Sequence, residues 1–138
     1  MNGSERMIHI LDSVVKSVVP PNGAFDNAAN VKYFYDRVQK TPTDFNLRLK
    51  YANELLLAGD TEKSIAELDQ LYQFLKSSGK MKPEYKEHML KLLAIANLRL
   101  GEQENCLQHH SDQSCLIPIK GSGIHQLKNG SEIGTKYL

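Results

Sequence analysis

Cys106 and Cys115, with His109, His110 and His125 close by, are the residues of this 138-residue chain whose types and spacing could do chemistry. Eight residues separate the two cysteines. Such a pair can close a loop as a disulfide, contribute to a metal site, or stand as two free thiols. A bridge across so short a loop would add about 2–3 kcal/mol in the chain-entropy model if the compartment is oxidising. Zinc sites usually space paired cysteines by about two to four residues, so the match there is poor. His110 and His125, with His109, could converge on a transition metal or bound cofactor, since neutral imidazole is a common ligand. Their competing role is structural: imidazoles can bond the carbonyls of an irregular segment that has no helix to satisfy them. Cys106 or Cys115 beside His110 would make a nucleophile and base, and a disulfide would abolish that pair. Cys-x-x-Cys-His does not occur, so c-type haem attachment is excluded at the level of sequence. Gly121-Ser122-Gly123 is followed by neither a third glycine nor a lysine, and no strand pattern precedes it, so it is not read as a phosphate cradle. No metal or cofactor is expected on these grounds.

Helices must carry this segment, because nearly all the remaining sequence has helical periodicity. Met7, Ile8, Ile10, Leu11, Val14, Val15, Val18 and Val19 form one apolar stripe, with Glu5, Asp12 and Lys16 outside it. Pro20-Pro21-Asn22-Gly23 then stops the helix. Residues 1–22 are thus expected to be an amphipathic helix whose stripe caps the first hairpin, the alternative being that it is itself a protein contact, and residues 23–138 a helical repeat region with an insert at 105–130. After Asp26 or Asn27 a second helix, with Val31, Phe34, Tyr35 and Val38 apolar, runs to Thr41-Pro42. Thr43 or Asp44 caps a third, which ends at Ala58-Gly59. A fourth starts at Asp60 or Thr61 and ends at Ser77-Ser78-Gly79, making an antiparallel hairpin with the third.

The same pattern follows once more. Pro83 opens a helix whose apolar positions include Tyr85, Met89, Leu90, Leu93 and Leu98, and Leu100-Gly101-Glu102 is expected to close it as Ala58-Gly59-Asp60 does. The two glycines lie about forty residues apart, which marks an internal helix-turn-helix repeat. On these residues the chain resembles the tetratricopeptide repeat. In that register Ala52 and Ser64 are the small residues at a close helix crossing, with Leu68 and Leu71 packing after them, and Ala94 and Cys106 take the matching small sites of the second unit. The fold class expected is all-α, a tetratricopeptide-like array of antiparallel hairpins, and residues 23–138 are its repeat region. Beyond Cys106 the second unit is expected to break within about two turns, and a helix start reappears only at residues 129–138, with Ser131 as its cap. Because that pattern stops in its first turns, either further repeats follow or this end docks on the preceding hairpin.

Glu104-Asn105-Cys106, His110, Ser114-Cys115, Pro118-Ile119, Gly121, Gly123-Ile124-His125 and Gly130-Ser131 are similar to a stretch in the helical N-terminal regions of extracytoplasmic proteins. That group carries FG-GAP (integrin-like propeller) repeats and an ASPIC/UnbV-type module, and includes the cartilage acidic protein relatives. The resemblance covers about the last two-thirds of the chain and is most specific across residues 105–125. It implies a periplasmic or secreted protein, tetratricopeptide-like repeats, and a disulfide between Cys106 and Cys115. No signal peptide is visible, because Asp12 and Lys16 interrupt the apolar run near the start.

With 17 basic and 16 acidic residues interspersed, the net charge is +1, and no basic face is available to neutralise phosphates. No apolar run approaches the roughly 20 residues of a membrane span. Tyr33, Tyr35, Tyr51 and Tyr72, with Phe34, could line a concave groove of the kind in which stacked hairpins bind peptides, or could simply be core. Asn2-Gly3-Ser4 and Asn129-Gly130-Ser131 match the glycosylation sequon, a pattern frequent by chance. The function expected is a non-catalytic scaffold for protein partners. The alternative is a metal- or cofactor-binding subunit that uses His109, His110 and His125.

Overall fold

A computed structural model describes residues 2–17, 26–108, 111, 113 and 119–138. Among them all regular structure is helical, in the order α1 (Gly3–Ser17), α2 (Asn27–Lys40), α3 (Phe45–Leu57), α4 (Thr61–Ser77), α5 (Pro83–Gln108), a 3-10 turn (Gly121–Gly123) and α6 (Asn129–Lys136). From α2 onward each helix packs on the next.

Local chemistry sets these boundaries. The Asp26 and Asp44 carboxylates accept from the Ala29 and Leu47 amides at 3.1 and 3.0 Å, satisfying donors that the first turns of α2 and α3 leave unpaired. At the α3–α4 turn Gly59 takes φ +89°, which lets the Asp60 amide reach back to the Leu55 carbonyl at 2.9 Å and close α3. Gly79 ends α4 the same way, with Lys80 bonding to Leu75 at 3.1 Å.

Two apolar clusters hold α3, α4 and α5 together. Ala52, Leu68 and Leu93 form one, with Leu49, Ile65, Leu92 and Tyr137 against it. Leu71, Leu75 and Met89 form the other, bordered by Phe45, Tyr72, Phe74 and Tyr85, whose Phe45 and Tyr85 rings stack 4.3 Å apart. Where α3 and α4 cross, the small residues expected there meet: Ser64 and Ala52 are both fully buried, and the Ser64 hydroxyl donates to the Ala52 carbonyl at 2.7 Å. Beside this crossing Arg48 and Glu67 pair at 2.5 Å, both largely screened from solvent.

The second unit departs from the expected repeat. Gly101 does not end a helix; α5 runs unbroken through it to Gln108. The reason is tertiary, since Gly101 is buried and its backbone lies against Gly130 of α6. Cys106 therefore occupies no small crossing site. It is exposed on the last turn of α5, and Gly130 and Gly134 on α6 take the close approach instead. Ser131 is not the cap of α6 but lies inside it, donating to the Lys128 carbonyl at 2.8 Å. The C-terminal segment docks on the preceding helix, and Tyr137 reaches the α3–α5 core.

No residue of α1 is buried, and its apolar stripe is bare. Val18 and Val19 of that stripe, and the Pro20-Pro21-Asn22-Gly23 stop, lie outside the described residues.

Candidate functional site

α2, α3 and α5 together border an open groove of about 510 Å³, lined by Phe34, Leu49, Lys50, Asn53, Glu54, His88 and Leu92. Its floor follows from the packing. Phe34 is buried on α2 and meets the Tyr33 ring edge-on at 5.2 Å, while Leu49 and Leu92 are half-buried where the first core cluster reaches the surface. Its rim is polar. Lys50, Asn53 and Glu54 share one side of α3 with Leu49, and His88 stands one turn before Leu92 on α5. The buried Asn30 amide donates to the Glu54 carboxylate at 3.2 Å and holds it at the α2 side. An apolar floor with an ammonium, an amide, a carboxylate and an imidazole at its edge can take an apolar side chain while bonding the backbone that carries it.

The expected tyrosines do not line this groove; of that aromatic set only Phe34 does. Tyr33 carries the Arg37 guanidinium 4.3 Å above its ring, a cation–π contact. Tyr35 and Tyr51 pair across α2 and α3 with ring centres 5.9 Å apart. Burial first, and the nearby Glu67 carboxylate second, hold the Tyr51 hydroxyl above the ordinary tyrosine value of 10.0. Tyr72 packs at the edge of the second core cluster. Lys50, Asn53, Glu54 and His88 escaped the sequence reading because charged residues beside a buried stripe look like any solvated helix face.

Cys106 is a free, exposed thiol bordering a second open pocket, about 510 Å³, between the α3–α4 turn and the end of α5, with Thr61, Lys63, Leu100, Gln103 and Leu107 around it. No disulfide forms among the described residues. Cys115, His109 and His110 lie outside the described residues. His125 is exposed and borders a smaller pocket of about 200 Å³ with Glu102, Asn105 and Lys128. Among the described residues no three His, Cys, Asp or Glu side chains gather as a metal ion would need, and no described helix is long and apolar enough to cross a membrane.

Asn105, which borders the same pocket as His125, stands in the sequence only as part of the resemblance, and the structure gives it a structural role. It is buried, and its amide donates to the Gly101 and Leu127 carbonyls at 2.7 Å each while its oxygen accepts from the Gln126 and Leu127 amides at 2.9 Å. These bonds pin the returning chain to α5 and start α6 against Gly101. No family model, curated protein or solved structure matches this chain.

Proposed function

We propose that this protein is a non-catalytic interaction scaffold of tetratricopeptide-like architecture that binds a segment of a protein partner in the groove between α2, α3 and α5. The observation that carries this reading is the groove itself: the apolar floor of Phe34, Leu49 and Leu92 beside the polar rim of Lys50, Asn53, Glu54 and His88. Helical-hairpin arrays bind partners on such faces through one or two apolar anchors, with polar contacts to the backbone of the bound segment. The Ser64 to Ala52 hydrogen bond supports the tetratricopeptide comparison, because it puts the two small residues of that pattern in contact at a helix crossing.

The likeness of residues 105–125 to the extracytoplasmic FG-GAP and ASPIC/UnbV group supports a periplasmic or secreted setting. In such a compartment Cys106, free and exposed in this structure, is the thiol that would oxidise to a disulfide with Cys115. Alkylation of the unfolded chain from its native compartment, read by mass spectrometry, tests this part: no labelled thiol supports it, and two labelled thiols overturn it.

The groove is tested with peptides selected from a random library on the purified chain. Amide shifts on binding should map to residues around Leu49, Asn53, His88 and Leu92, and Asn53→Arg with His88→Glu should weaken binding at least about 10-fold with unchanged thermal stability. Selected peptides that perturb another face, or that bind the double variant equally well, would refute the assignment.

A further inference from the structure

The bare stripe of α1 has the pattern of an interface with itself. Met7, Ile8, Ile10, Leu11, Val14 and Val15 are each between 47% and 65% exposed, although all lie on one side of the helix. A 15-residue helix is marginal in water without tertiary packing, so this stripe needs a cover. Apart from Ile10, whose counterpart is Asp12, the stripe is symmetric about Leu11: Met7 and Val15 stand four residues to either side of it, and Ile8 and Val14 three. Two-fold contacts require such self-complementarity, since residue i of one copy meets residue j of the other and the reverse.

We propose that α1 pairs antiparallel with α1 of a second copy of this chain, Leu11 lying on the two-fold axis, Met7 facing Val15 and Ile8 facing Val14. Six half-exposed aliphatic side chains leave on the order of 500 Å² of apolar surface bare, near the upper limit for a monomer. Two such faces, fully covered, would remove on the order of 1,000 Å² from water, the lower end of what a specific interface buries. The antiparallel sense sets the helix dipoles against each other, and in this register Lys16 of one helix faces the Glu5-Arg6 end of the other, so charge adds little to an apolar contact. Charge disfavours a lipid surface as the cover. Glu5 and Asp12 balance Arg6 and Lys16, and the apolar face holds no Trp or Phe, whereas helices that lie on membranes carry a basic face and aromatic anchors.

Sedimentation equilibrium of the full chain from about 5 to 200 μM should show a reversible dimer. Leu11→Glu should weaken it at least about 10-fold, and Ser13→Glu, on the opposite side of α1, should not. Leu11 is exposed within one chain, so the unfolding midpoint of the α2–α6 core should be unchanged in both variants, which separates lost association from lost folding. With Cys106→Ser and Cys115→Ser as background, Leu11→Cys should form a cross-linked dimer on oxidation much faster than Ser4→Cys, because only the antiparallel arrangement holds the two Ser4 positions apart. A chain monomeric throughout, a dimer indifferent to Leu11→Glu, equal cross-linking at both positions, or a monomer that instead partitions onto phosphatidylglycerol vesicles would each overturn the proposal.

Discussion

Gly130 presses its backbone against Gly101: a Cβ built on Gly130 would stand 2.6 Å from the Gly101 Cα and 2.5 Å from the Asn97 carbonyl oxygen. Both obstacles are backbone and neither can turn aside, so a methyl group must push α6 off α5. Gly130→Ala should lower stability by about 1–3 kcal/mol in urea unfolding. At Gly134 the neighbours stand at 3.1 Å, and one of them is the movable Leu98 side chain, so Gly134→Ala should cost less. Gly3→Ala meets nothing within 4 Å and should change stability by no more than about 0.5 kcal/mol. Equal effects at Gly130 and Gly3 would mean that α6 does not sit on α5 this closely.

Asn105 should be the most sensitive polar residue of this end of the molecule. Asn105→Ala leaves the Gln126 and Leu127 amides and the Leu127 carbonyl without the partner that satisfies them, which should cost about 2–3 kcal/mol. Asn105→Asp keeps the acceptor oxygen but sets a second oxygen against the Gly101 and Leu127 carbonyls, so it should cost at least as much. Amide exchange reads the effect locally. The Gln126 and Leu127 amides should lose protection in Asn105→Ala, whereas those in the middle of α4 should change only as global stability does.

The frame from α2 to the middle of α5 was legible in the sequence because its signals are local. Asp26 and Asp44 cap the helices that follow them, Gly59 ends α3, and Ala52 and Ser64 sit at a crossing defined by a single turn. Gly101 presents the same local signal as Gly59, a glycine after leucine at the end of a periodic run. Its role is decided by Gly130, which arrives from beyond the insert, so periodicity could not tell a helix end from a helix contact. The groove was hidden for a related reason. Lys50, Asn53, Glu54 and His88 become neighbours only when α3 and α5 are placed side by side, and separately each reads as helix surface.

The Ser64 site separates packing from hydrogen bonding. Ser64→Ala keeps the close crossing and removes only the bond to the Ala52 carbonyl, so it should cost about 0.5–1.5 kcal/mol. Ser64→Leu forces a branched side chain into a position with no exposed surface and should cost about 1–3 kcal/mol through overpacking. Chemical denaturation of the two variants distinguishes the contributions, and a leucine tolerated as well as alanine would show that the helices do not cross tightly there.

Titration at high pH should single out Tyr51 and Tyr137. Burial raises both hydroxyls above the ordinary value of 10.0; Glu67 is the next cause at Tyr51, and Asp69 at Tyr137. The folded state thus holds these protons more tightly than the unfolded chain does. Their contribution to stability is whole below the ordinary tyrosine range and is lost as pH rises through the raised folded values. Absorbance of the tyrosinate should show Tyr51 and Tyr137 ionising above the ordinary value. Asp69→Asn should bring Tyr137 down toward the ordinary range while Tyr51 stays high. Burial also raises the Asp69 carboxyl, so its ionised form is a small burden on the fold at neutral pH. The same substitution should therefore stabilise the protein at neutral pH, by less than about 1 kcal/mol at this half-exposed position, and the gain should vanish in acid once the carboxyl is protonated. A Tyr137 titration unmoved by Asp69→Asn would show that the end of α6 does not bring the two side chains together.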